Sequence, residues 1–314
     1  MHRHRAVRLA GARRRTLVVG LALVAPVLLG LGVSSASAAP KGIFAVFAQC
    51  PTSTPGNALC QFAQTTSGEF AIGSTKVPIN KPITLQGGAI PTGGVNFNEY
   101  FLLPAKDGNS LSKTELNVPG GLTDLVNCEE IKGNGLLEKL ERGTCKAIFE
   151  NKTTGVTATT ELVASATNPA ILNLAALAEE KGTAVTLPTR VHLKNPLLGE
   201  GCYVGSEAHP IQLHLTTGTT APPAPNKPIK GKQGKAKTEV EKEFESTNIT
   251  ENSLVDNAFS VPVAEGCGGV FAFLIDPIVD AKLGLPSAAG KNTAVLNGSL
   301  NSAEVEAVIA SEHF

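Results

Sequence analysis

From Thr186 to Thr220 the chain reads TLPTRVHLKNPLLGEGCYVGSEAHPIQLHLTTGTT, and two parts of this run alternate with a period of two. Val191 and Leu193 point one way while Arg190, His192 and Lys194 point the other. Farther on, Ile211, Leu213 and Leu215 oppose Gln212, His214 and Thr216. Such alternation belongs to strands with one buried and one solvated face. Between the two runs, Pro196, Gly199, Gly201 and Gly205 supply the kinks and positive φ angles of a chain reversal. Cys202 lies in that loop, where a covalent tie would fix a segment too rich in glycine to hold its own shape. The expectation is strand, long loop, strand, with the remaining chain built around it.

Residues 1–39 read as an export signal peptide: six arginines including Arg13 to Arg15, an apolar run from Leu17 to Val33, and the cleavage pattern Ala36-Ser37-Ala38. A retained membrane anchor is the competing reading, weakened by Gly20, Pro26, Gly30 and Gly32. The arginine cluster alone does not separate the general from the twin-arginine route. Losing the six arginines from a chain of 27 basic and 27 acidic side chains leaves 21 against 27, a net charge of −6. That argues against nucleic acid as a partner, which calls for a basic excess. Nothing after residue 39 resembles a membrane span.

The mature part, 40–314, is long enough for a substantial core and reads as a single β-rich domain, with a division into two halves near residue 182 as the alternative. Its six cysteines, Cys50, Cys60, Cys128, Cys145, Cys202 and Cys267, form an even set in an exported chain, hence three disulfides. Fifteen pairings are open to six cysteines. Separate intervals favour Cys50 with Cys60, Cys128 with Cys145, and Cys202 with Cys267. A metal site fits poorly, because no C-x-x-C pair exists and no histidine stands at ligand spacing from a cysteine.

Further strands are expected at Ile43 to Phe47, Phe70 to Val77, Ile83 to Leu85, Tyr100 to Leu103, Ala147 to Phe149, Val156 to Val163, a buried run Val270 to Ile275, and Val295-Leu296. Leu136, Leu137 and Leu140 suit a helical turn. Asn168 as cap, Pro169 in the first turn, the apolar Ile171 to Leu177 and a terminating Gly182 predict a helix. Short helices are also expected at Ile278 to Leu283 and Ala303 to Ile309. Residues 221–246, rich in proline, glycine and lysine before turning acidic, read as a mobile charged loop.

Through Cys202-Tyr203-Val204-Gly205-Ser206, Pro222 to Ile229, Leu254-Val255-Asp256-Asn257 and Leu283 to Gly290, the chain resembles a group of exported actinobacterial proteins. The resemblance extends over most of the mature part. It implies an actinobacterial origin and brings no activity and no site residues with it.

Catalytic templates fail: G-x-S-x-G, H-E-x-x-H, the P-loop and the EF-hand loop are all missing from the sequence. A site assembled from distant residues stays open. His192 and His214 occupy the polar faces of two strands, so as neighbours they would meet as a base or as metal ligands, with Arg190 as a further binding candidate. Arg190 and Lys194 on the same face disfavour a bound cation, and exposed strand histidines are the plainer reading. Asp276 and Asp280 would share a helix face, Asp276 as the cap of a helix starting at Pro277. Sugar stacking is disfavoured by the lack of tryptophan and the presence of only two tyrosines.

These features together predict a mainly β fold, a disulfide-stabilised sandwich or barrel-like assembly with a few short helices. They point to a secreted, non-enzymatic structural or binding protein of the cell surface or medium, with no cofactor, and a cell-wall polymer or another surface protein as partner. An extracellular hydrolase with His192 or His214 as base is one alternative. A small-ligand carrier is another, marked by an enclosed apolar cavity.

Overall fold

The alternating run at the centre of the chain forms a strand flanked on both edges. β8 (Val185–Lys194) pairs with β7 (Ile171–Asn173) and then β6 (Val156–Leu162) along one edge. Along the other it pairs with β10 (Ile211–Leu215) and then β9 (Tyr203–Val204), the latter paired in turn with β13 (Ala264–Glu265). The computed structural model that shows this describes residues 38–94, 98–121, 135, 139, 143 and 155–314.

β1 (Leu59–Ile72) has a matching role. β14 (Thr293–Glu304) runs along one edge, and β3 (Ile83–Pro91) then β2 (Thr75–Ile79) along the other. β4 (Glu99–Leu103) joins β3 to β7, and β12 (Phe244–Asp256) extends from β14. The ring closes where β10 meets β12. There Thr216 and Val255 exchange two backbone hydrogen bonds of 2.9 Å, and the Asp256 carboxylate accepts the His214 N–H at 2.7 Å. The outcome is an antiparallel barrel in the order β1-β3-β4-β7-β8-β10-β12-β14, which leaves no open edge within the ring. A second tier lies at the far ends of β1 and β8, where β5 (Glu115–Val118) pairs with β6 and lies beside β2.

Interior residues follow the period of two. Gln61, Ala63 and Thr65 on β1 stand level with Ser302, Leu300 and Gly298 on β14. At Gly298 both neighbours of β14 carry a bulge, between Thr65 and Ser67 on β1 and between Ile249 and Asn252 on β12. The inward set therefore resumes at Phe70 and Ile72 on one side and at Asn252 and Leu254 on the other. Glycine is required at 298 because a Cβ there would collide with the Gln64 carbonyl of β1.

Short helices cover the ends. α1 (Leu174–Glu179) brings Leu177 to the interior at one end, held by the Thr217 hydroxyl donating to the Leu177 carbonyl at 2.8 Å. α2 (Ala272–Leu283) brings Val279 and Leu283 to the other. A separate small core gathers Phe44 and Phe47 from a 3-10 turn (Gly42–Phe47), Val305 and Val308 from α3 (Val305–Ser311), and the Cys50–Cys60 disulfide.

The mainly β, disulfide-tied fold is as the sequence indicates, and Cys50–Cys60 and Cys202–Cys267 follow the neighbour pairing. Cys128 and Cys145 lie outside the described residues, as do Leu136, Leu137, Leu140 and the run Ala147 to Phe149. Several expectations are corrected. Residue 182 divides nothing, because strands from both sides of it pair in the same sheet and residues 38–314 form one unit. The charged loop 221–246 contains a hairpin, β11 (Lys235–Glu241) against β12. One face of β11 carries Lys235, Lys237, Glu239 and Glu241, joined by pairs such as Lys235–Glu251 at 2.6 Å, and the other only Ala236, Thr238 and an exposed Val240, so no large buried side chain announces the strand.

The helix expected from Asn168 begins only at Leu174, capped by the Asn173 side chain, which accepts the Ala176 N–H at 2.8 Å. Ile171 and Leu172 are taken as strand between β4 and β8, where tertiary pairing outweighs local preference. Ile43 to Phe47 is a 3-10 turn rather than a strand. Val270 to Ile275 is no buried strand: Gly268 and Gly269, at φ +79° and +59°, turn the chain into α2 and leave Val270, Phe271 and Phe273 exposed. Pro277 lies inside α2, so Asp276 caps nothing. Instead Asp276 accepts the Gly266 and Cys267 N–H groups and Asp280 that of Ala264, docking the disulfide loop on the helix.

Candidate functional site

The barrel interior is apolar and incompletely filled. Ala63, Leu85, Leu187, Leu213, Leu254 and Leu300, from six strands of the ring, line a cavity of about 130 Å³. Phe70, Thr160, Thr189 and Leu213 also line a second cavity of about 50 Å³, which continues toward Ile72, Val77 and Val191. A third, of about 20 Å³, lies between Val156, Leu193, Val279 and Leu283 beneath α2. Along β8 the inward residues Leu187, Thr189, Val191 and Leu193 pass in turn from the first cavity to the third.

Apolar cavities of this size stay dry and accept small apolar molecules; a void of roughly 150 Å³ holds benzene. No charged side chain lines the first cavity, and the hydroxyl of Thr189 is turned to the Ile211 carbonyl at 3.2 Å. Polar side chains in the wall include Gln61, Gln86, Ser110, Thr160 and Asn252.

The histidine candidates lie elsewhere. On the outer face of β8, Arg190 bonds Glu161 of β6 at 2.9 Å and lies 4.3 Å above the Tyr203 ring. His192 stacks on the same ring with centroids 4.5 Å apart, its Nδ1 3.7 Å from Glu161. Lys194 meets Glu115 of β5 at 2.8 Å. This hydrogen bond holds the Glu115 carboxyl below its ordinary range and raises the Lys194 ammonium.

Arg190 and His192 are thus brought together, and His214 is not. β8 and β10 do pair, but His214 faces Thr186, six positions before His192, about 20 Å along the strand. His192 is buried with its Nε2 lacking a hydrogen-bond partner, and so is the hydroxyl of Thr159 opposite it. None of the three cavities includes Glu161, His192 or Thr159. Among the described residues no cluster of His, Cys, Asp and Glu suits a metal ion, and no helix is long and apolar enough to cross a membrane.

Sequence reasoning found the inward strand residues but missed the cavity. Alternation tells which side chains face inward, not whether they meet. No family model, no curated protein and no solved structure matches this chain.

Proposed function

We propose that the protein is a non-enzymatic, exported binding protein that carries a small apolar ligand inside its barrel. One observation carries this reading: a cavity of about 130 Å³, lined by apolar side chains from strands all round the ring and continued by a second. The void is destabilising when empty and is kept open by strands whose other side chains pack well. Two disulfides suit an oxidising compartment, in keeping with residues 1–39 as an export signal. The hydrolase alternative is weakened by His192 lining none of the three cavities and by His214 lying six positions away along the sheet on an exposed strand position.

The test is thermal unfolding of the mature, disulfide-bonded protein with benzene and toluene, paired with mass spectrometry of the intact protein under native conditions. A ligand at one hundred times its Kd stabilises by about 2.7 kcal/mol, so Tm should climb with concentration. A flat Tm at saturating benzene, together with native spectra showing no bound molecule from the producing culture, overturns the carrier reading. Recovery of the protein on salt-washed cell wall in that case favours a structural surface role.

A further inference from the structure

β11 lies outside the closed ring, at the end of the sheet. It pairs with β12 on one side, and among the described residues no strand pairs with its other side. Lysine on such an edge ordinarily discourages a further strand. Here the sequence is Lys-Ala-Lys-Thr-Glu-Val-Glu, with both lysines before Thr238 and both glutamates after it. Laid antiparallel on a copy of itself about Thr238, the strand sets Lys235 opposite Glu241, Ala236 opposite Val240 and Lys237 opposite Glu239. Thr238 then faces its own copy. Every charge meets its opposite, and the apolar residues meet each other.

We propose that the open edge of β11 binds a second copy of this chain, so that two barrels join through a two-fold antiparallel β11–β11 ladder. In a two-fold contact each facing pair occurs twice. Opposite charges and threonines facing across a ladder favour it, and like charges directly opposite disfavour it. The same rule fixes the register. A slip of two residues sets Lys237 on Lys237 in one direction and Glu239 on Glu239 in the other, and a parallel in-register ladder sets every charge on its like. The edge is accessible, with Val240 61% exposed and the Lys235 and Lys237 side chains 71% and 74% exposed. Lys235 already meets Glu251 and Lys237 meets Glu239 of the same chain, both as solvent-accessible pairs that a second carboxylate joins. Glu241 accepts the Ile43 N–H at 2.8 Å, and a carboxylate keeps further acceptor sites for a lysine. Seven residues a side is well short of the twenty or so of a standard interface, so the dimer is weak and reversible.

Sedimentation velocity of the mature, disulfide-bonded protein from micromolar to millimolar concentration is the test. A dimer should form as concentration rises and recede in high salt. Glu239→Lys sets lysines face to face twice over, and Lys237→Glu does the same with glutamates. Each should weaken the dimer by about tenfold or more. Mixed in equal amounts, the two variants should associate with each other, because each altered charge then faces an opposite one. The double exchange of Lys237→Glu with Glu239→Lys should restore the dimer within one chain type. Unchanged thermal unfolding of the dilute monomers reports that the variants are folded, and amide exchange along β11 should slow as the wild type is concentrated. A monomer over the whole range overturns the proposal. So does a dimer that both single variants retain; its loss on changing Phe271 and Phe273 to serine would place the contact on the exposed start of α2 instead. Folded single variants that fail to associate when mixed overturn it as well.

Discussion

Ala63→Leu tests whether the interior is a real void. At about 24 cal/mol per Å³, an empty space of about 130 Å³ costs on the order of 3 kcal/mol. Leucine adds three carbons at Ala63, each returning about 0.8 kcal/mol when buried, or about 2.4 kcal/mol together. Leu85 and Leu300 stand level with Ala63 on the neighbouring strands, and crowding against them takes part of the gain back. The expected net effect is a stabilisation of about 1–2 kcal/mol. Equilibrium urea unfolding reads it as a higher midpoint with an unchanged slope, and the shift in Tm caused by benzene should fall away in the variant. Destabilisation by more than about 1 kcal/mol would mean that Ala63 is already closely packed and that the interior has no room for a ligand.

Three other outcomes follow from the structure. Replacing both cysteines of Cys202–Cys267, which spans 65 residues, should cost about 4.3 kcal/mol in the chain-entropy picture, against about 2.7 for Cys50–Cys60, which spans 10; urea unfolding of the two paired alanine variants checks the order. Burial holds the Asp256 carboxyl above its ordinary range, so its contribution to stability is fully present below about pH 4 and is lost as pH rises through the raised value. The stability advantage of wild type over Asp256→Asn should therefore shrink as pH rises from 4 to 7, and an advantage that widens contradicts the assignment. On the hairpin, Lys235→Ala breaks an exposed pair with Glu251 and should leave the urea midpoint nearly unchanged, with any difference fading in high salt.

Much of the barrel was legible because its strands bury one face. Ile211, Leu213 and Leu215 announce β10, and Val191 and Leu193 announce β8. Signals that depend on what lies across the sheet were not legible. Ile171 and Leu172 look helical in isolation and become strand because β4 and β8 offer ladder partners. Lys235 to Glu241 looks like a solvated tether and becomes strand through pairing with β12. The phenylalanine-rich run before Asp276 looks like core and instead leaves Phe271 and Phe273 exposed, since two glycines redirect the chain ahead of it.

The paired bulges beside Gly298 have a consequence for kinetics. Thr66 on β1 and Glu251 on β12 stand outside the register with β14, which breaks two ladders at the waist of the wall. A molecule bound for the interior must wait for some part of that wall to part, and sparsely paired segments part most often. Association is then expected to be slow and to level off at high concentration of the incoming molecule, with amide exchange at the waist running ahead of exchange in the tiers on either side.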